Sequence, residues 1–560
     1  MGCKPSAKTD SASTSPKTTV VANSASPLTP VLFEDVTKQI GLHHVYDNGE
    51  DSNLYVYLES VGSGVAVVDF DLDGWPDFFF PGGGRLPALG QIQGLPGTAW
   101  RNQFGERVVN ITAESSLNVT KHYTMGAQAA DINCDGFPDL LITGYGGVLI
   151  MMNQGDGTFI DVTSNSGVDA SLWCTSAAFA DFNQDGVLDL FIAQYIDWSW
   201  ENNPDCKSTA GVRDICPPAA FKGLSDRMYL GKGDGSFLDA SDRLDAEAKG
   251  KGLGVLAGDF DQDSWVDVYV ANDTTNNLYY HNLTEGKFEE VGVSSGSALD
   301  ERGLPTGSMG VATLDYDNDL KPDLWVCNYE QESFALYKNE GNSVYRGVSS
   351  LAGLTALGTM FVAFGTATAD FDSDGDEDIA VTNGHVLRHP PGNTVEQLPL
   401  FLSNNGKGKL IRQEFHPDSY FSQKWRGRGM VAADIDQDGD LDLIVSHVNQ
   451  PSAVLKNKTQ NSSQWLQIEL KGTRSNRDAI GSQVVMVTNK AKRLRLVCGG
   501  GSYLSQGPYS LHFGIPPGEK IEYAEITWPD GQKQRVDGLN PNQKHVLIEP
   551  VSASISAATK

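Results

Sequence analysis

A nonapeptide of the pattern Asp-x-Asp-x-Asp-Gly-x-x-Asp recurs seven times along the 560-residue chain. The copies begin at Asp69 (DFDLDGWPD), Asp131 (DINCDGFPD), Asp181 (DFNQDGVLD), Asp259 (DFDQDSWVD), Asp315 (DYDNDLKPD), Asp370 (DFDSDGDED) and Asp434 (DIDQDGDLD). Successive starts lie 62, 50, 78, 56, 55 and 64 residues apart. Such a period indicates an array of like units, each burying its apolar faces against the next. A Gly/Ala/Val-rich stretch such as GVAVV or GMVAA precedes each copy, and an apolar run such as FFF, LLI or LIV follows it. Short apolar runs flanking a turn read as two strands of a hairpin. The fold class expected is all-β.

The nonapeptide carries chemistry as well as shape. Carboxylates at positions 1, 3 and 5 can converge while the residues between them point outward. Glycine at position 6 permits the sharp turn, and a backbone carbonyl at position 7 with a carboxylate at position 9 completes an oxygen cage. Hard oxygen donors in a flexible loop suit Ca²⁺ better than Mg²⁺, which demands strict octahedral geometry. The candidate metal ligands are Asp69, Asp71, Asp73 and Asp77 in the first loop and Asp131, Asn133, Asp135 and Asp139 in the second. The third offers Asp181, Asn183, Asp185 and Asp189, and the fourth Asp259, Asp261, Asp263 and Asp267. Asp315, Asp317, Asp319 and Asp323 follow, then Asp370, Asp372, Asp374 and Asp378, then Asp434, Asp436, Asp438 and Asp442. Up to seven Ca²⁺ are expected. Glycine is replaced by Ser264 and Leu320 in the fourth and fifth copies, where strained turns are expected. An EF-hand would need a Glu at position 12. That position holds Phe80, Ile142, Ile192, Val270, Val326, Val381 and Val445, all apolar strand formers.

A second element follows most copies: a Gly-rich turn, then Phe and a short polar tail. It reads NQGDGTFIDVT at 153–163, GKGDGSFLDAS at 231–241 and HNLTEGKFEEV at 281–291. After the seventh copy it is missing, and the missing piece stands alone upstream as Phe33-Glu34-Asp35-Val36-Thr37. A ring closed by its own N-terminal strand predicts this displacement, because closure removes exposed sheet edges. The expected architecture is a seven-bladed β-propeller over residues 31–460. These repeats resemble the FG-GAP/VCBS repeats of integrin-α-like propellers, whose Ca²⁺ loops have this pattern.

From Trp465 the metal loops cease, and alternating segments (WLQIEL, SQVVMV, RLRLV, SLHFG, YAEITW) suggest a small β-sandwich-like domain over 461–550. SNRDAIG (475–481), GGGSYLSQ (499–506), LHFG (511–514) and WPDGQ (528–532) closely match the ASPIC/UnbV domain. The whole chain thereby resembles the cartilage-acidic-protein-like family, which joins the two domains. That resemblance implies an extracytoplasmic calcium-binding protein of adhesion or surface interaction, and brings no established catalytic residue with it. Cys206 and Cys216, with nine residues between them in a polar loop, are a candidate disulfide. They also fit that family's fourth inter-blade insertion. Cys134, Cys174, Cys327 and Cys498 read as small packed residues.

Residues 1–30 are rich in Ser, Thr, Ala, Pro and Lys and read as a disordered tether, and 551–560 as a flexible tail. Met1-Gly2-Cys3 ahead of the tether suits a bacterial lipoprotein start, with Cys3 the lipidation candidate and an apolar leader required upstream. The same residues match a myristoylation pattern, and a plain leader is the remaining reading. The net charge is -29. Five loops with four carboxylates and two with three hold 26 of the 71 acids, so the acidity belongs largely to the loops. It argues against a nucleic-acid partner, which would require clustered Lys and Arg. No 18-residue apolar run encodes a membrane span. Gly292-Val293-Ser294-Ser295-Gly296 matches a nucleophile-elbow string, but at a repeat end with no helix expected. Trp198 and Trp200, beside Tyr195 in the insertion after the third copy, either pack within it or form an exposed aromatic contact. Two functional readings stand. One is a secreted or surface-anchored calcium-binding module engaging a protein or glycan; the other is a propeller-scaffold enzyme acting on a carbohydrate or anionic substrate. An enzyme should show a charged cluster that breaks the repeat, and the 195–226 and 385–425 insertions are the nearest candidates.

Overall fold

The computed structural model describes residues 30–208 and 211–551, so Cys3 and most of both expected tails lie outside the described residues. The chain is almost entirely strand. Each nonapeptide joins the first two strands of a four-stranded antiparallel sheet, and seven such sheets follow one another. In the second sheet, Tyr123–Ala130, Asp139–Tyr145, Gly147–Asn153 and Phe159–Asp161 pair in sequence order. The first strands of successive sheets touch in turn, and the first strand of the last sheet (Gly427–Ala433) touches that of the first (Ala66–Val68). The result is a propeller of radiating blades.

The last blade is completed by the displaced N-terminal piece. Phe33–Asp35 pairs antiparallel with Ala453–Asn457, placing Phe33 opposite Asn457. Phe33 is 5% exposed and lies edge-on to Phe371 and Phe401, with Phe421 at 5.6 Å. Apolar burial of this kind is the glue available to two distant chain segments.

The C-terminal segment forms two sheets. Leu511–Ile515, Gln464–Lys471 and Gln543–Ile548 make one, with the last two strands parallel. Lys492–Leu496, Gln483–Thr488, Ile521–Thr527 and Lys533–Asp537 make the other, wholly antiparallel. Leu466, Ile468, Met486, Ile526 and Phe513 share one core, so the sheets pack face to face as a sandwich.

The segment between them leaves the sandwich and enters the middle of the ring. Gly499–Gly500 pairs with Leu256 and Ala257 of the fourth blade's first strand. Ser502 exchanges backbone bonds with Val311 and accepts from the Thr366 N–H through its hydroxyl. The Leu504 carbonyl accepts from Ala127 N–H at 3.2 Å, and Ser505 Oγ accepts from Val65 N–H at 3.0 Å. The room for this comes from one column of the repeat. Five residues before each loop's first Asp stand Gly64, Gly126, Ser176, Gly254, Gly310, Gly365 and Gly429. A Cβ on Gly64 would lie 1.9 Å from the Leu504 carbonyl oxygen, and one on Gly429 would lie 2.5 Å from Ser505 Oγ.

Two outcomes are expected. Phe33→Ala should cost about 3–5 kcal/mol of stability, read as a lower melting temperature, because it empties a packed aromatic site. Gly64→Val should dislodge the central segment, so that limited proteolysis cleaves near residues 499–507 where the native chain resists.

Candidate metal centres and the insertion face

The seven loops share one hydrogen-bonding scheme. The position-1 carboxylate accepts from the position-6 N–H in every loop and, in the first five, from the position-5 N–H too, as Asp131 does from Gly136 at 2.8 Å and Asp135 at 3.0 Å. The position-5 carboxylate accepts from the N–H of position 7, as Asp185 does from Val187 at 2.9 Å. The position-9 carboxylate accepts from the third strand of its blade, as Asp77 Oδ1 does from Asn102 N–H at 2.8 Å. Position 4 is left-handed in every copy: Leu72, Cys134, Gln184, Gln262, Asn318, Ser373 and Gln437 have φ of 54–64°. Nothing in the residue types signals that conformation. Position 6 is also left-handed, at φ 75° for Ser264 and 67° for Leu320, so those two turns carry the expected strain.

The structure brings the expected side chains together. Oxygens of Asp69, Asp71 and Asp77 lie within 4.8 Å of one another, as do those of Asp259, Asp261 and Asp263, of Asp315, Asp317 and Asp323, and of Asp370, Asp372 and Asp374. Asn133 and Asn183 instead turn their amide nitrogens to Asp135 and Asp185, at 2.8 and 2.9 Å. Burial, joined by repulsion from neighbouring carboxylates and opposed by the N–H donors, pushes Asp69 up to about 6 and Asp434 to about 7. Burial likewise raises Asp77 and Asp139 to about 8. A cation among these groups favours their ionised form. The donor set fits a hard divalent ion: it is all oxygen in most loops. Asp71 Oδ1, Asp261 Oδ1, Asp317 Oδ1, Asp370 Oδ1, Asp378 Oδ2, Asp434 Oδ1 and Asp436 Oδ1 are buried without a hydrogen-bond partner. In the fourth loop His281 joins Asp261 and Asp267, with Nδ1 3.1 Å from Asp267 Oδ1.

The sandwich sits on this loop-bearing face, which the sequence did not signal. Gln483 Nε2 donates to Asp259 at 2.9 Å, and Gly514 N–H to Asp370 at 3.1 Å. Arg493 donates to the Gly375 carbonyl at 3.0 Å, and Asp478 accepts from Asp131 N–H at 2.9 Å.

Connections between second and third strands emerge at the opposite end of each blade, and there the long insertions gather. Cys206 and Cys216 are disulfide-bonded within the third blade's insertion. Of the aromatics there, Tyr195 and Trp198 are 0% and 3% exposed and pack with Trp173 and Tyr145, so they line the insertion's core rather than an outer patch. Tyr195 donates to Asp273 Oδ2 at 2.5 Å and meets Tyr57 at 2.8 Å, all buried. A repeat-breaking charged cluster does exist on this side. Arg388 pairs with Glu59 at 2.5 Å, its backbone N–H donates to Asp214, and Arg426 grips Glu50 through two bonds of 2.7 and 2.5 Å. The acids of this cluster are engaged by arginines or backbone donors, so it ties residues 50–59, 214 and 388–426 together. His385 is buried, 3.4 Å from Glu330. The string from Gly292 to Gly296 holds a single helical turn, Gly292–Ser295, contrary to the expectation of no helix there. Ser294 on it hydrogen-bonds only to the Val291 carbonyl.

The family described as FG-GAP-like repeat matches residues 119–192, 259–326 and 315–381. The family described as ASPIC and UnbV matches residues 472–554. Cartilage acidic protein 1 of Mus musculus is 26% identical over 495 residues, covering 84% of this chain and 70% of that protein. The Homo sapiens protein of that name is 25% identical over 495 residues, with 84% and 69% covered. A solved Agrocybe aegerita lectin, described as recognising non-reducing terminal N-acetylglucosamine, is 16% identical with a TM-score of 0.38, covering 71% of this chain and 94% of its own.

Breaking the insertion cluster has a measurable consequence. Arg388→Ala leaves Glu59 buried without its partner, and should lower stability by about 3–5 kcal/mol. Chemical denaturation of the variant against the native chain reads this directly.

Proposed function

We propose that this chain, which carries FG-GAP-like repeats ahead of an ASPIC/UnbV domain and is homologous to cartilage acidic protein 1, is an extracytoplasmic calcium-dependent binding module. Ca²⁺ enters nonapeptide loops of this chain through the residues at positions 1, 3, 5 and 9. When bound, the ion supplies positive charge that offsets the buried carboxylates and fixes the join between the first two strands of a blade. The sandwich and its central segment occupy the loop face and the middle of the ring. The insertion-built face is therefore the one left for a protein or glycan ligand, and this arrangement is the observation that carries the reading.

Two features support a location outside the cytoplasm. The Cys206–Cys216 disulfide suits an oxidising compartment. Extracellular calcium modules bind at about 10⁻⁴–10⁻³ M, affinities met only where the ion is abundant. Attachment through a lipid on Cys3 would place the module at a cell surface, with the tether spacing it from the membrane. Of the six Asn-x-Ser/Thr sites, Asn110, Asn118 and Asn461 are exposed, whereas Asn272, Asn282 and Asn457 are buried.

Thermal unfolding in millimolar Ca²⁺ and in excess chelator tests the metal part. Chelation should lower the melting temperature by about 10 °C, since each site about tenfold above its Kd in millimolar Ca²⁺ contributes about 1.4 kcal/mol and several sites add. An unchanged melting temperature removes the calcium claim. For the ligand part, glycan-array and cell-surface protein capture with the Ca²⁺-loaded chain should be lost in a Cys206→Ser/Cys216→Ser variant. Capture should survive Val546→Lys on the exposed outer sheet of the sandwich. The reverse pattern would move the binding surface to the sandwich.

A further inference from the structure

The seven loops are alike in sequence but not in what surrounds them. In each blade, one residue of the third strand donates its backbone N–H to Oδ1 of the loop's last Asp. These bonds run from Asn102 to Asp77 at 2.8 Å, from Asn339 to Asp323 at 2.7 Å and from Asn457 to Asp442 at 2.7 Å. The same bond recurs from Asn153, Gly231 and Asn404 in the second, third and sixth blades. The preceding residue thus holds an equivalent place beside every loop. Its identity varies.

In the first blade it is Arg101, with Nε 2.7 Å from Asp71 Oδ2. In the fifth it is Lys338, paired with Asp317 and 2.9 Å from Asp319. In the seventh it is Lys456, 2.8 Å from Asp436. The Lys338 and Lys456 side chains are only 13% and 14% exposed, so their charges are held against the loop. The equivalent residues of the second, third and sixth blades are Met152, Leu230 and Ser403, which carry no charge. The sixth loop differs most. Asp370, Asp372 and Asp378 are 1%, 3% and 2% exposed, and Asp370 and Asp378 each keep one carboxylate oxygen without a partner, as loop carboxylates of the first, fourth, fifth and seventh loops also do. Arg493 and Arg495 from the sandwich reach this region already paired, with Glu519 at 2.9 Å and Glu377 at 3.2 Å.

We infer that the chain supplies its own counter-ion to the first, fifth and seventh loops through Arg101, Lys338 and Lys456, and that divalent cations enter only the loops lacking a fixed cation, the sixth foremost. The inference rests on the proposed reading that these loops take calcium. An ammonium or guanidinium on the position-3 carboxylate takes one of its oxygens and leaves the other unpartnered, putting a positive charge against the group the ion's cage needs. It also repels a second positive charge a few ångströms away, strongly so where water is scarce. The fourth loop carries His281 at this place, Nδ1 3.1 Å from Asp267 Oδ1; unlike Lys or Arg it can give up its proton and ligate an ion, so this loop stays among those open to metal.

Metal content per chain tests this. The full chain is stripped with chelator, titrated calorimetrically with CaCl₂, and assayed for bound calcium after gel filtration. One to four ions per chain are expected. Asp372→Asn, in the sixth loop, should remove one ion, while Asp436→Asn, in the seventh, should leave the number unchanged. Lys456→Met should add one ion, and Lys338→Met provides the same readout should that variant not fold. Five or more ions in the native chain, or loss of an ion in Asp436→Asn, overturns the inference and leaves the calcium reading standing. No bound calcium in the native chain overturns the calcium reading itself.

Discussion

The packing of like charges in seven tight loops is the constraint on which the rest of this structure depends. Every blade turns from its first to its second strand through an acidic loop, and in at least four of them three carboxylates converge within 4.8 Å. Backbone N–H groups meet part of that charge, since positions 1, 5 and 9 each accept from the loop or the neighbouring strand. The remainder must be met by positive charge. Where Lys or Arg reaches in, the loop resembles a partly buried ion pair, whose value lies more in specificity than in net stability. In the first loop and in the fourth to seventh at least one buried carboxylate oxygen still stands unpartnered, and that is an environment suited to a hard cation.

The same loops form the seat of the C-terminal sandwich, so the two parts of the chain are one mechanical unit. The central segment from Gly499 to Gln506 is hydrogen-bonded to the first strands of several blades, which closes the middle of the ring from within. A ring stapled at its seam by Phe33 and at its centre by Ser502 and Leu504 has little freedom to open. The long insertions, held by the Cys206–Cys216 bond and the Arg388 and Arg426 pairs, then shape the remaining face. Rigid scaffolds with variable loops on one face are a common way to present a binding surface.

Much of this was legible from the residues. The Asp-rich nonapeptide marked the turn between first and second strands in every blade, and the orphaned Phe33–Thr37 motif marked the seam. What escaped was set by contacts between distant parts of the chain. The column of glycines at 64, 126, 254, 310, 365 and 429 read as generic strand composition, although it lets the first strands of neighbouring blades approach and, at Gly64, Gly126 and Gly429, makes room for a segment well downstream in sequence. The Asp pattern likewise concealed the differences between loops, because Arg101, Lys338 and Lys456 lie on another strand. Trp198 stands in a polar insertion where its residue type alone left packing and exposure both open, and the fold of that insertion turns it inward. Gly499–Gln506 carried a recognisable motif whose position in the ring depends wholly on tertiary structure.

The most direct measurement is an anomalous diffraction map from crystals of the full chain grown in calcium and collected at long wavelength. The account predicts peaks inside the nonapeptide loops, strongest at Asp370–Asp378, with carboxylate oxygens at about 2.3–2.6 Å. A map with no peak in any loop, the chain remaining folded as described, would contradict the view that these carboxylates exist to hold cations.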